Sequence, residues 1–292
     1  MIPSAFDYHA PKTLEEALRL LERHGDEAKL LAGGHSLLPL MKLRLASPRF
    51  VIDIGKLRGM SYVREEEGII AIGALTTHAE VAASELLAQK CPLLSETAGE
   101  IGDVQVRNRG TIGGSLAHAD PAADYPASIL ALDAEIVSAT SGGARTIAAR
   151  DFFVDMLTTA LRHGEILTQV RMPIQKGRAG AAYKKLYQPA SGFAIVGVAA
   201  RLSLSASGKI ESVAVGVTGL GPKAYRAEAA EKALVGKKPG EKEIASAAKL
   251  APRGIEPLGD LHASADYRRE MAIVFTRRAL EAAAARASGK AK

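Results

Sequence analysis

The alternation of apolar and polar positions along the chain predicts a succession of short helices and strands. Leu14, Ala17, Leu18 and Leu21 recur at helical spacing behind the capping-box segment Thr13-Leu14-Glu15-Glu16, and His24-Gly25 ends the run, so an amphipathic helix is expected. Apolar runs over 29–32 and 50–54 predict two strands with a short helix over 37–45 between them. A hairpin is expected over 62–72, where Glu65-Glu66-Glu67-Gly68 interrupts two apolar stretches. Thr77 and Glu80 offer a second capping box for a helix reaching Leu87, and Cys91-Pro92 opens another over 93–101. Further on, a helix over 127–132 precedes strands over 135–139, 145–147 and 166–170. The stretch 173–180, with Gln175-Lys176-Gly177-Arg178, reads as a linker. Beyond it come a strand pair over 194–204 and 210–217, then helices over 226–235, 242–250 and 265–287, and a mobile tail over 288–292. This divides the chain into units at 1–56, 57–176 and 177–292.

Two interruptions of the pattern carry candidate chemistry. In Leu30-Leu31-Ala32-Gly33-Gly34-His35-Ser36 an apolar run stops at two glycines and a polar pair. Without Cβ atoms, successive amides can curl into an anion-binding concavity, so a phosphate can sit against the main chain. Alone, the pair reads more readily as a tight turn. The second interruption, Thr111-Ile112-Gly113-Gly114-Ser115, repeats the arrangement, and Asp120 and Asp124 follow it. Two such loops in different units suit opposite sides of one extended ligand, while Asp120 before Pro121 also suits a surface turn. A third glycine pattern, Gly219-Leu220-Gly221-Pro222-Lys223-Ala224, matches a loose dinucleotide fingerprint. It is read as a loop because proline stands where a helix should open on a phosphate.

Composition narrows the chemistry. Cys91 is the single cysteine among 292 residues, which excludes an internal disulfide or an iron-sulfur cluster built on this chain's thiolates. The seven histidines show no metal-ligand spacing, so no metal site is expected, and redox chemistry here would need an organic cofactor. The net charge of +6 is spread among acids with no tryptophan, an arrangement that does not suit nucleic acid. No apolar run is long enough to span a bilayer and the first residues do not resemble a signal peptide, so a cytoplasmic protein is expected.

With both loops in view, the chain resembles the medium, flavin-binding subunit of the molybdenum hydroxylases, the family that includes carbon monoxide dehydrogenase and xanthine dehydrogenase. The resemblance rests on Phe6-Asp7-Tyr8, on Ala32-Gly33-Gly34-His35-Ser36-Leu37 followed by Pro39-Leu40-Met41-Lys42, on Thr111-Ile112-Gly113-Gly114-Ser115, and on the spacing to Asp124. His35 resembles the carbon monoxide dehydrogenase branch. The resemblance implies an α+β chain: a PCMH-type, vanillyl-alcohol oxidase-like FAD-binding fold of two α/β subdomains, then a smaller C-terminal α+β domain. It also implies that residues 32–37 wrap the FAD diphosphate and that residues 111–115 contact the diphosphate and ribityl region. Asp124 would accept hydrogen bonds from FAD hydroxyls, with Ile101 and Leu167 beside the cofactor, Phe193 behind the flavin ring, and Lys185 or its neighbour Lys184 near the flavin. Ser115 departs from the asparagine of many members, and Phe193 from a tyrosine. No catalytic side chain is implied. The molybdenum cofactor and [2Fe-2S] clusters would reside on a large and a small partner subunit, in a dimer of heterotrimers delivering electrons to a quinone, oxygen or NAD. Competing readings are a medium subunit acting on aldehydes, xanthine or N-heterocycles, a free-standing FAD-dependent oxidase, and a non-catalytic nucleotide-binding module.

Overall fold

The computed structural model describes residues 2–289, so the end of the expected mobile tail, residues 290–292, lies outside the described residues. The first unit contains β1 (Asp7–His9), α1 (Leu14–His24), β2 (Ala28–Leu31), α2 (Leu37–Lys42) and β3 (Phe50–Asp53), with the strands in a parallel sheet of order β1-β3-β2. Thr13 caps α1 by accepting from the Glu16 N–H, and Ala17, Leu18 and Leu21 bury its apolar face. α2 tolerates Pro39 because the proline falls in its first turn, where no intrahelical N–H bond is needed.

The second unit opens with the hairpin β4 (Val63–Glu66) and β5 (Ile69–Gly73), followed by α3 (His78–Ala83), α4 (Glu85–Lys90) and α5 (Pro92–Gly99). The single helix expected up to Leu87 is broken at Ser84, whose extended backbone ends α3 and whose hydroxyl caps α4. Next come α6 (Val104–Arg107), α7 (Ile112–His118), α8 (Tyr125–Ala131), β6 (Glu135–Thr140), β7 (Gly143–Ala148), α9 (Ala149–Phe152), the small pair β8 (Phe153–Asp155) and β9 (Thr158–Thr159), and β10 (Ile166–Pro173). The five-stranded sheet has the order β4-β5-β10-β6-β7 and is antiparallel throughout.

The expected linker is mostly strand. β10 runs through Pro173 and β11 (Arg178–Tyr187) begins five residues later, so only residues 174–177 connect them. β11 pairs along its length with β12 (Ala194–Leu204), and β13 (Ile210–Thr218) and β14 (Tyr225–Arg226) complete a four-stranded antiparallel sheet. α10 (Glu228–Leu234), α11 (Glu241–Ala248) and α12 (Ala265–Ala287) follow, with α12 laid across β11 and β12. Contact is close where Gly180 meets α12: a Cβ there would lie 2.2 Å from the Ala283 carbonyl oxygen. One apolar core unites the first two units, and a second, built from residues 196–287, lies under α12.

Candidate cofactor site

A cleft of about 540 Å³ runs between the first two units, with one wall supplied by the β11–β12 connection. Ala32, Gly33, Gly34, His35, Ser36 and Leu37 line it from the β2–α2 turn. Thr111, Gly113, Gly114 and Ser115 line it from α7, and Ile101, Asp124, Leu167 and Phe193 from further positions. Ile112 is fully buried in the core behind the cleft, and Lys185 reaches the site only through Asp124. The volume suits a cofactor-sized ligand.

The β2–α2 turn is open to an anion. Among the described residues, no main-chain or side-chain acceptor takes the N–H groups of residues 33–37. Five consecutive amides without a protein acceptor beside a cleft are available to an external one, and Gly34, at φ +78°, provides a left-handed step within the turn. The His35 ring nitrogen Nδ1 lies 3.2 Å from the Gly33 carbonyl oxygen. A carbonyl only accepts, so Nδ1 carries the proton in this contact, and the side chain braces its own loop.

The second glycine pair behaves differently from the bare loop expected. Thr111 is the N-cap of α7, and residues 112–115 form its first turn. The N–H groups of Ile112 and Gly113 donate to the Thr76 and Ala74 carbonyls, and those of Gly114 and Ser115 to Thr111 Oγ1 and the Thr111 carbonyl. No main-chain donor of residues 112–115 remains for a ligand. Gly113 is required by packing, since a Cβ would lie 2.7 Å from the Ala74 carbonyl oxygen. Gly33 is required likewise: its Cβ would fall 2.1 Å from the Arg109 carbonyl oxygen, so the first loop rests directly on the backbone leading into the second. What the α7 segment offers the cleft is the Ser115 hydroxyl, which has no protein partner among the described residues.

Asp124 sits at the N-terminus of α8 with its side chain about 5% exposed. Its Oδ1 accepts from the Tyr183 hydroxyl at 2.5 Å, and Lys185 Nζ lies 2.9 and 3.0 Å from its two oxygens. Lys185 also donates to the Glu100 carbonyl at 2.8 Å, so this lysine, rather than Lys184, holds the acid. Burial pushes the Asp124 carboxyl up to about 6, outweighing the opposite pull of Lys185 and Tyr183. Asp120 caps a tight turn by accepting from the Ala122 N–H at 2.8 Å, while its residue also lines the cleft. The intervening arch, residues 120–124, is held by the third unit. Ala194 N–H donates to Ala122 O, Gly219 N–H to Pro121 O, and Thr218 Oγ1 to the carbonyls of Pro121 and Ala123. Gly219, part of the loose dinucleotide match, is therefore a brace at φ +82°.

Two contributors escaped the sequence reading. His78, 5% exposed, lines the base of the cleft, and Gly110 makes room for it: a Cβ there would lie 2.5 Å from His78 Nε2. Burial, with His35 and Arg107 nearby, pushes this imidazole down to about 4, and its Nδ1 has no partner among the described residues. Only the capping box beside it was a visible signal. Tyr183 lies on β11, inside and beyond the stretch read as linker, so nothing marked it.

Free amides for phosphate oxygens, hydroxyls and a carboxylate for sugar hydroxyls, and apolar Ile101, Leu167 and Phe193 for a flat ring together fit an extended dinucleotide bearing an aromatic head. The comparisons with known proteins agree with that chemistry. Residues 4–175 match the family model of the FAD binding domain in molybdopterin dehydrogenase, and residues 181–283 match the CO dehydrogenase flavoprotein C-terminal domain. The chain is 41% identical over 286 residues to the carbon monoxide dehydrogenase medium chain of Hydrogenophaga pseudoflava, covering 98% of this chain and 99% of that one. It is 39% identical over 287 residues to the 6-hydroxypseudooxynicotine dehydrogenase complex subunit alpha of Paenarthrobacter nicotinovorans, covering 98% and 97%. The solved carbon monoxide dehydrogenase of Hydrogenophaga pseudoflava lacking the Mo-pyranopterin moiety superposes with a TM-score of 0.95 at 43% identity, covering 98% and 99%. The fold and site thus define an FAD-binding oxidoreductase subunit. The chain belongs to the FAD-binding medium subunits of the molybdenum hydroxylases.

Proposed function

We propose that this chain is the electron-exit subunit of a heterotrimeric molybdenum hydroxylase of the carbon monoxide dehydrogenase type. Its partners are a large molybdenum-bearing subunit and a small iron-sulfur subunit, in a dimer of heterotrimers located in the cytoplasm, against the inner face of the membrane through its complex. Bound FAD supplies the capacity to accept electrons singly from iron-sulfur clusters and release them to an external acceptor such as a quinone, oxygen or NAD. The observation that carries this reading is the row of five unpaired amides at residues 33–37, on a chain that matches its relatives over nearly their whole length.

In this reading the amides of residues 33–37 hold the diphosphate, Ala32 and Leu37 bound that cradle, His35 braces it, and Ser36 offers it a free hydroxyl. Ser115 and Asp124 take cofactor hydroxyls, with Thr111, Gly113 and Gly114 forming the wall behind them. Ile101, Leu167 and Phe193 flank the ring, and Lys185 holds Asp124 in place. None of these side chains exchanges a proton with the hydroxylase substrate; they bind the cofactor, exclude water from it and set its electrostatic surroundings. A medium subunit acting on N-heterocycles or aldehydes is the second reading, favoured by the near-equal 39% identity to the 6-hydroxypseudooxynicotine dehydrogenase subunit.

The test is purification of the chain with and without its co-expressed neighbours. The expected product is yellow, releases FAD on denaturation, and in the complex is bleached by carbon monoxide under anaerobic conditions. A colourless chain that cannot be reconstituted with FAD sinks the proposal. Bleaching by an aldehyde or N-heterocycle instead of carbon monoxide selects the second reading, and turnover of an organic substrate by the isolated chain selects a free-standing oxidase.

A further inference from the structure

The Asp124 carboxylate is served unequally on its two oxygens. Oδ1 receives both the Tyr183 phenol and the Lys185 ammonium, whereas Oδ2 receives only the ammonium. The second oxygen therefore keeps lone-pair capacity for a hydroxyl donor in the cleft. The phenol is itself 2% exposed, and Asp124 is its hydrogen-bond partner. Its position depends on a vacancy: a Cβ on Gly197, across the β11–β12 pair, would lie 2.3 Å from the phenol oxygen. Burial holds the phenol protonated, so it can act only as a donor to a carboxylate that bears charge.

We propose that Tyr183 is a positioning residue for the cofactor: its buried hydroxyl, donating to Oδ1, fixes the Asp124 carboxylate so that Oδ2 is left for a hydroxyl donor in the cleft. The inference rests on the FAD reading above. The ionisable groups around Asp124 are Tyr183 and Lys185 from β11, Glu100 at the end of α5, Asp120 in the same arch, and Tyr125 on α8, whose ring meets that of His78 of α3 at a tilt, centroids 5.3 Å apart. Of these, Lys185 and Tyr183 favour the charged carboxylate and Glu100 opposes it, while burial opposes it most. Lys185 supplies charge to both oxygens; the phenol alone distinguishes one from the other. Phenylalanine at 183 would keep the packing and remove that distinction.

The experiment uses the full-length chain freed of FAD, with FAD binding followed by quenching of flavin fluorescence between pH 5 and 8. Wild-type affinity is expected to weaken as pH falls and Asp124 takes up its proton. In Tyr183→Phe the midpoint of that weakening is expected to move up by about one pH unit, because a hydrogen bond to a charged group has been lost. Binding would then be little changed at pH 8 and about tenfold weaker than wild type at pH 5. An equal loss at every pH with an unmoved midpoint, or no change at all, overturns the proposal. A parallel titration of the Asp124 side-chain carbon by NMR, assigned by its disappearance in Asp124→Asn, must show the same upward shift without any cofactor present. If Tyr183→Phe does not fold, Gly197→Ala, which displaces the phenol oxygen without deleting it, must raise the carboxyl midpoint. Failure of the wild type to bind FAD defeats the cofactor reading, and the carboxyl titration then still decides the role of the phenol.

Discussion

The two Gly-Gly-Ser-type segments look alike in sequence and differ in what their backbones have left to give. Over residues 33–37 the amides are free; over 112–115 every amide is taken by Thr76, Ala74 or Thr111. In the first segment glycine turns donors outward, and in the second it lets a helix start press against Ala74. A repeated motif thus conceals a division between a cradle and the scaffold that holds it. Gly33 belongs to both, since its missing side chain also seats the first loop on Arg109.

The sharpest way to break this comparison is Gly33→Ala, which drives a Cβ into backbone. It is expected to abolish FAD retention and to cost about 3 kcal/mol of stability, the upper range for overpacking. Thermal unfolding and the flavin absorbance of the purified protein measure both, and a yellow, wild-type-stable variant would refute the role given to the loop contact.

The next effect concerns pH and sets two groups of the cleft, His78 and Asp124, against each other. His78 is held near 4 in the fold against 6.5 when unfolded, so the unfolded chain binds the extra proton and stability falls as pH drops from 6.5 to 4. Asp124 is held near 6 against 3.8, so the folded chain binds the extra proton and stability rises as pH drops from 6 to 3.8. The two oppose each other over most of that window. In Asp124→Asn only the histidine contribution survives, and an acid loss of about 3 kcal/mol should emerge in denaturant melts between pH 6.5 and 4. An unchanged pH slope would show that the two groups do not compensate.

Smaller effects distinguish the caps. Thr111→Val removes the hydroxyl that holds the Gly114 amide and is expected to cost about 1 kcal/mol in stability, with FAD affinity of the folded protein within about twofold of wild type. Ser36→Ala, by contrast, should leave stability within about 0.5 kcal/mol, since its hydroxyl makes no cap bond, and weaken FAD binding severalfold. Isothermal titration on both variants checks the pair, and the reverse pattern would exchange the assigned roles.

Much of this was legible in the chain. The apolar spacing of α1, the strand pair β12–β13 and the Thr77–Glu80 capping box are local signals, and the structure follows them, whereas the box expected at Thr13 is only half formed because Glu16 accepts from the Lys12 N–H instead. The glycine pair after β2 was legible as a turn with room beside it, because the run of Leu30, Leu31 and Ala32 ends so abruptly. What stayed hidden depends on distant partners. β11 is rich in small and basic residues over 178–185, and its strand character comes from pairing with β12 and from α12 lying on Gly180. His78 is drawn into the cleft by the absence of a side chain on Gly110, 32 positions later, and no local pattern announces it. The occupied amides of α7 depend on carbonyls at Ala74 and Thr76, which lie outside the motif altogether.

The arch over residues 120–124 is fastened by Ala194, Thr218 and Gly219, and its acid by Tyr183 and Lys185. The first 175 residues therefore hold the loop with free amides but none of the groups that fasten the arch and its acid, all of which lie between positions 183 and 219. In the proposed reading of the site, a chain ending after residue 176 is expected to carry the loop and still fail to retain FAD, which the flavin absorbance of the purified fragment checks.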